Sequence, residues 1–225
     1  MLPLRTGLLQ TDPVSGLSYR LMPAASATRR CLVLLHGVGS HEEAMADLAH
    51  GVPDDSCVVL VRGPLTLGPQ QFAWFQVRFT AQGPLIVAEQ AERSRQALIR
   101  LLAQVQSACG VAPAQTVLAG FSQGGIMSAS VALTSPESLA GFGLLSGRIL
   151  PEMAPLTASR ERLAHLSGFV AHGEFDDKLP PDWADRAHAW LNALQVRHTF
   201  RMYPIGHSIS AALHADFLSW LTPLN

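Results

Sequence analysis

The string Gly120-Phe121-Ser122-Gln123-Gly124-Gly125 carries the residue types most directly suited to chemistry in this chain. A serine with glycine two positions to either side, between the apolar run Thr116–Ala119 and a helical pattern, reads as a strand-to-helix elbow. Such a turn lifts the hydroxyl above the edge of a sheet. Its flanking positions must be small, because strand and helix pass within contact distance there. The helix behind it offers a positive dipole end and free backbone N–H groups to negative charge developing nearby. The plainer alternative is a glycine-rich turn holding an ordinary serine.

A serine hydroxyl at its ordinary acidity is a poor nucleophile, so a base must lie beside it and a carboxylate must orient that base. On a strand–elbow–helix scaffold these follow in the order serine, acid, histidine. Six histidines lie downstream: His165, His172, His188, His198, His207 and His214. His207, in Pro204-Ile205-Gly206-His207-Ser208, falls between the last apolar strand and the last helix, at the sheet edge where open α/β proteins build their sites. His172 and His198 fall in strands and His188 and His214 in helices, where packing is the simpler reading. His165 precedes a strand and reads as a surface residue. For the carboxylate, His172-Gly173-Glu174-Phe175-Asp176-Asp177-Lys178-Leu179-Pro180 leaves a strand at the same edge. Spacing leaves Glu174, Asp176 and Asp177 all open.

Four strings occur in order: Leu35-His36-Gly37-Val38-Gly39, Gly120 to Gly125, His172-Gly173 with Asp176 and Pro180, and Gly206-His207-Ser208-Ile209-Ser210. Together they resemble the phospholipase/carboxylesterase family of serine hydrolases, from about Leu32 to Leu221. That resemblance implies an α/β-hydrolase fold and a Ser122–His207–Asp176 triad. The family's His-Gly-x-x-Asp-x-x-Val-Pro string selects Asp176, with Asp177 where the family often has proline. It also implies an oxyanion hole made by the backbone N–H groups of Val38 and Gln123, the kind of preorganised donor that stabilises a tetrahedral intermediate. His36 is then a support for its loop. Ser40 departs from an aspartate common in the family, a change that touches loop packing and leaves the triad intact. Trp74 and Phe75 resemble the family's aromatic element beside the acyl pocket and, with Leu179, are the expected substrate-side residues, core filling being the rival reading for both aromatics.

These residues need a scaffold. Candidate strands are Leu17–Met22, Cys31–His36, Cys57–Arg62, Thr116–Phe121, Gly141–Leu145, Gly168–His172 and His198–Tyr203. Most are solid apolar runs, as expected where helices cover both faces of a parallel sheet. Leu17–Met22 mixes polar and apolar residues and reads as an edge. Helical periodicity covers Gly83 to Ala108, a stretch after Ser122 toward Pro136, Asp182 to Leu194 with Asp182 as N-cap, and Ser208 to Leu221. Gly63–Gln82 lacks a period and reads as a long loop. The expectation is one α/β domain over residues 1–225, with about seven strands in a mostly parallel sheet and no large cap domain.

Composition excludes other classes. The chain has 225 residues, 48% of them apolar and 15% charged, with a net charge of −1 and no basic stripe of the kind nucleic acids require. Lys178 is its only lysine, flanked by Asp177 and Leu179, so no phosphate-binding Gly-Lys-Ser/Thr loop exists. Gly37-Val38-Gly39 lacks the third glycine of a dinucleotide fingerprint, position 42 being Glu42. His41-Glu42 lacks a second histidine at helical spacing, and Cys31, Cys57 and Cys109 match neither a disulfide framework nor a paired-cysteine metal motif. No apolar stretch is long enough to span a membrane, and Met1–Arg5 shows no signal-peptide pattern. The sequence therefore predicts a cytoplasmic serine esterase without metal or cofactor, monomeric or homodimeric, acting on short- to medium-chain acyl esters, with lysophospholipids and acyl-thioesters as the alternative substrates. Its expected site is an open cleft without a helical lid and with an aromatic wall. A non-catalytic binding protein on the same fold is the competing class.

Overall fold

A computed structural model of the chain describes residues 7–80 and 83–224; Met1–Arg5 and Ala81–Gln82, each part of a sequence expectation, lie outside them. Among the described residues, twelve strands and five α-helices follow one another as β1 (Gln10–Thr11), β2 (Ser18–Met22), β3 (Arg30–Leu35), β4 (Ser56–Arg62), β5 (Leu65–Gly68), β6 (Gln71–Ala73), β7 (Val77–Thr80), β8 (Gly83–Ile86), α1 (Ala88–Cys109), β9 (Thr116–Phe121), α2 (Gln123–Thr134), β10 (Gly141–Leu145), α3 (Arg160–Leu163), β11 (Ser167–Gly173), α4 (Asp182–Ala193), β12 (Arg197–Tyr203) and α5 (Ala211–Leu221). Eight strands form one sheet in the order β1-β2-β4-β3-β9-β10-β11-β12. From β4 to β12 every pair is parallel, while β2 runs antiparallel to β4 and β1 antiparallel to β2. This is the α/β-hydrolase arrangement, without a cap domain.

The strands are apolar on both sides because each side meets helices. Along β3, Cys31, Val33 and Leu35 face one core, with α1, α2 and α4; Leu32 and Leu34 face the other, with α5 and the 3-10 helix Glu42–Ala49. In β4, Cys57, Val59 and Val61 share the first core, and Val58 and Leu60 the second. Two-residue alternation thus sorts one continuous apolar run into two cores.

Four expectations change. Gly63–Gln82 contains the hairpin β5–β6, and β7 pairs antiparallel with β8. The helix expected from Gly83 begins at Ala88, and Leu85 belongs to a strand partnered by Arg78. The main sheet has eight strands, because the short β1 covers β2, which is not the edge. Asp182 is the first helical residue of α4, whose N-cap is Pro181, whereas Ser210 does cap α5 by accepting from the Leu213 N–H.

Candidate active site

Ser122 sits where β9 turns into α2, with φ 54° and ψ −118°, a backbone conformation rare for any residue but glycine. The turn is held by its neighbours: the Ser122 N–H donates to the Leu145 carbonyl at 2.8 Å. Gly124 packs against β3 so tightly that a Cβ there would lie 2.1 Å from the Leu35 carbonyl oxygen. A side chain at that position has no room, which is why the elbow needs glycine there.

Asp176 and His207 arrive on two loops zipped together beyond β11 and β12. The Glu174 N–H donates to the Tyr203 carbonyl at 2.8 Å, and the Phe175 N–H to the Ile205 carbonyl at 3.0 Å. Asp176 is thereby carried under His207. Its Oδ2 accepts from His207 Nδ1 at 2.6 Å, and His207 Nε2 lies 3.0 Å from Ser122 Oγ. The other carboxylate oxygen, Oδ1, accepts the N–H groups of Lys178 and Leu179, both at 2.9 Å. Asp177 is exposed and pairs with Lys178 Nζ at 3.1 Å. His172 also borders the carboxylate, its Nε2 at 3.4 Å from Asp176 Oδ2 while it donates to the Leu179 carbonyl at 2.8 Å. Burial lowers the pKa of His172, so it stays neutral and orients the acid loop. Position in a strand gave no hint of that role.

Val38 and Gln123 lie beside Ser122 at the same cavity. Gln123 opens α2, where the first N–H groups lack intrahelical acceptors. The side chain of Gln123 points away from that chemistry and ties down a neighbouring segment, accepting from the Trp74 N–H at 3.0 Å and donating to the Phe75 carbonyl at 2.7 Å. His36 supports its loop as expected. Its Nε2 accepts from the Gly63 N–H at 2.9 Å, and burial holds its pKa down at about 4, so the ring is neutral.

The cavity above Ser122 has a volume of about 520 Å³, within the range of small-molecule sites. Phe75 and Leu179 line it, together with Val77 and Ile86 of the β7–β8 pair and Phe121, Ile126 and Ile209. Its wall is thus more aliphatic than aromatic. Trp74 is a correction: it is fully buried, donates from Nε1 to the His36 carbonyl at 2.9 Å, and does not reach the cavity. It buttresses the layer behind Phe75. His165 likewise is no free surface residue, for its Nε2 lies 2.9 Å from the Pro136 carbonyl oxygen.

Among the described residues, two groups bring three possible metal-ligating atoms within 4.8 Å of one another: Cys31, Cys57 and Cys109, and His41, Glu42 and Glu43. None of these six lines the cavity. Glu42 is already held by Arg20 at 2.8 Å and Arg62 at 2.7 Å. No described helix is long and apolar enough to cross a membrane.

The model of one family, described as phospholipase/carboxylesterase, matches residues 19–222. Acyl-protein thioesterase 1 of Gibberella zeae is 27% identical over 209 residues, covering 84% of this chain and 87% of that protein. The protein of the same name from Eremothecium gossypii is 24% identical over 215 residues, covering 90% and 91%. Among solved structures, esterase PE8 superposes with a TM-score of 0.83 at 27% identity, covering 93% of this chain and 99% of that one. A carboxylesterase from Mesorhizobium loti has the same fold, with a TM-score of 0.84 at 23% identity and coverage of 97% and 100%.

Proposed function

This chain belongs to the phospholipase/carboxylesterase family, and from that premise we propose that it hydrolyses short- to medium-chain carboxylic esters through an acyl-enzyme at Ser122. It is an enzyme acting on ester bonds. The observation that carries the finer reading is the hydrogen-bonded series Asp176–His207–Ser122, at 2.6 and 3.0 Å, opening into an apolar cavity.

In this reading Ser122 Oγ attacks the acyl carbon as His207 Nε2 takes its proton. Asp176 holds the imidazole in the tautomer that leaves Nε2 free to accept, and stabilises the imidazolium once formed. The former carbonyl oxygen gains negative charge, for which the N–H groups of Val38 and Gln123 are the donors. Donors of this kind contribute about 10²–10³ in rate each. The imidazolium then gives its proton to the departing alcohol or thiol, and water releases the acyl group by the same route. No step calls on a cofactor. We take the enzyme to be cytoplasmic and monomeric or homodimeric.

Hydrolysis of p-nitrophenyl acetate and butyrate tests the assignment. Ser122→Ala should lose on the order of 10⁶ in kcat; unchanged turnover would overturn the role of Ser122 and favour a binding protein. Thioester cleavage is the second reading, favoured by relatives named acyl-protein thioesterase. A chain-length series of p-nitrophenyl esters beside an acyl-thioester and a lysophospholipid ranks the substrates. A strict requirement for long chains would refute the short-chain assignment.

A further inference from the structure

Arg148 lines the same cavity as Ser122 and His207 and is only 5% exposed. It follows β10 on a tight corner. Ser146 has φ 47°, and a Cβ on Gly147 would lie 3.1 Å from the Ser122 carbonyl oxygen, so the corner is packed directly against the elbow. The guanidinium lies 4.6 Å from the centre of the Trp183 ring. That stacking is its one specific contact: no hydrogen bond or ion pair to Arg148 occurs among the described residues. Glu152 acts on it electrostatically but is exposed and outside ion-pair distance. Burial lowers its pKa, as desolvation of a cation must, though arginine stays charged throughout the physiological range.

A largely buried guanidinium on the cavity wall that spends none of its five N–H donors on the protein leaves them for whatever occupies the cavity. The lining of the cavity holds a second cation, Lys178, and no aspartate or glutamate. Every formal charge on that wall is therefore positive, on an otherwise apolar surface. A guanidinium held in place by stacking is shaped for the two oxygens of a carboxylate or phosphate.

We propose that Arg148 is an anion-recognition residue, and that the preferred ester carries a carboxylate or phosphate on the part that lies in the cavity beside Ser122. The inference rests on the esterase reading and narrows it, from acyl esters in general to anionic ones such as half-esters of dicarboxylic acids. Lys178, exposed at the rim and paired with Asp177, adds to the attraction at the entrance.

The experiment compares mono-p-nitrophenyl glutarate with p-nitrophenyl valerate, which matches it in chain length and lacks the charge, on the wild-type enzyme and on Arg148→Met and Arg148→Lys. The ratio of kcat/KM for the charged ester over the neutral one is the readout, because a general loss of folded enzyme cancels from it. Arg148→Met should lower that ratio about 10- to 100-fold, the scale of one charge-assisted hydrogen bond, chiefly through KM for the charged ester. Arg148→Lys should restore part of it. Lysophosphatidic acid against a neutral monoacylglycerol, run the same way, tells phosphate from carboxylate. A ratio that moves less than twofold in Arg148→Met on both pairs overturns the proposal. Failure of the esterase reading itself would look different, as loss of turnover on the neutral ester by the wild-type enzyme. In that event monomethyl glutarate should still raise the Tm of Ser122→Ala and not that of Ser122→Ala/Arg148→Met, and equal Tm values would refute the anion site.

Discussion

Asp176 and Asp177 are adjacent in sequence and opposite in surroundings. The first is buried with three N–H donors on its two oxygens, and the second is exposed beside Lys178. Orientation of His207 accordingly falls to Asp176. Asp176→Asn should cost about 10⁴ in kcat, the scale seen when a triad acid is replaced and the imidazole takes the wrong tautomer. Asp177→Asn should change kcat/KM on p-nitrophenyl butyrate less than twofold. Equal losses from both substitutions would contradict the hydrogen-bond geometry. Ser122 and His207 were legible from sequence because an elbow and a loop before the last helix are local patterns. Spacing alone left the acid open, since two neighbouring aspartates on a turn differ only in which one the turn directs inward, and only the family resemblance singled out Asp176. The Gln123 side chain and Arg148 left no local signal, because their partners are 48 and 35 residues away or more.

At the scale of elements, Glu42 ties the 3-10 helix Glu42–Ala49 to two strands. It accepts from Arg20 of β2 at 2.8 Å and from Arg62 of β4 at 2.7 and 2.9 Å. Burial alone would raise its pKa, but hydrogen bonds from Arg62 and Arg20 outweigh burial and hold it at about 2, against an ordinary 4.5. A carboxyl with a lowered folded-state pKa stabilises the fold above its unfolded pKa and loses that contribution as pH falls toward the folded value. For Glu42 the window runs from about pH 4.5 down to about 2, and the contribution at neutral pH is on the order of 3 kcal/mol. Glu42→Gln should therefore unfold at lower urea at pH 7, with the gap to wild type closing as pH drops through that window. A gap independent of pH would show that the charge is not the cause. The β5–β6 and β7–β8 pairs escaped sequence reading for a related reason. Leu85, Ala88 and Ala91 mimic a helical period, yet Leu85 is half exposed and its register is set by Arg78 across the hairpin. Periodicity reports one segment's own faces and carries nothing of its partner.

At the scale of the whole molecule, the parallel sheet brings distant residues together at both ends of its strands. Ser122, Asp176 and His207 gather at the C-terminal ends, while Cys31 and Cys57 pair in register near the N-terminal ends of β3 and β4. Cys109, the last residue of α1, packs on the same face, so three thiols lie within 4.8 Å of one another. The neighbouring Cys31 and Cys57 thiols lower the pKa of Cys109 and favour its thiolate. Cys109 is half-buried, whereas Cys31 and Cys57 are each 2% exposed. Iodoacetamide on the native protein should add one label quickly, at Cys109, and three after denaturation. Peptide mapping after intact-mass analysis checks this, and equal rates at all three would contradict the packing.

The positions of β2 to β4 and β9 to β12, the strand–elbow–helix around Ser122, the loop carrying His207 and the two-core logic of the apolar runs all follow from the sequence, because each depends on contacts within a few residues or on which side chains avoid water. The neutral histidine behind Asp176, the β7–β8 wall of the cavity, the retreat of Trp74 into the core, the unpaired guanidinium and the meeting of three thiols were decided only by the folded chain. Those features depend on which segments become neighbours across the sheet, and burial and pairing at such distances are fixed by packing, which no single stretch of residues encodes alone.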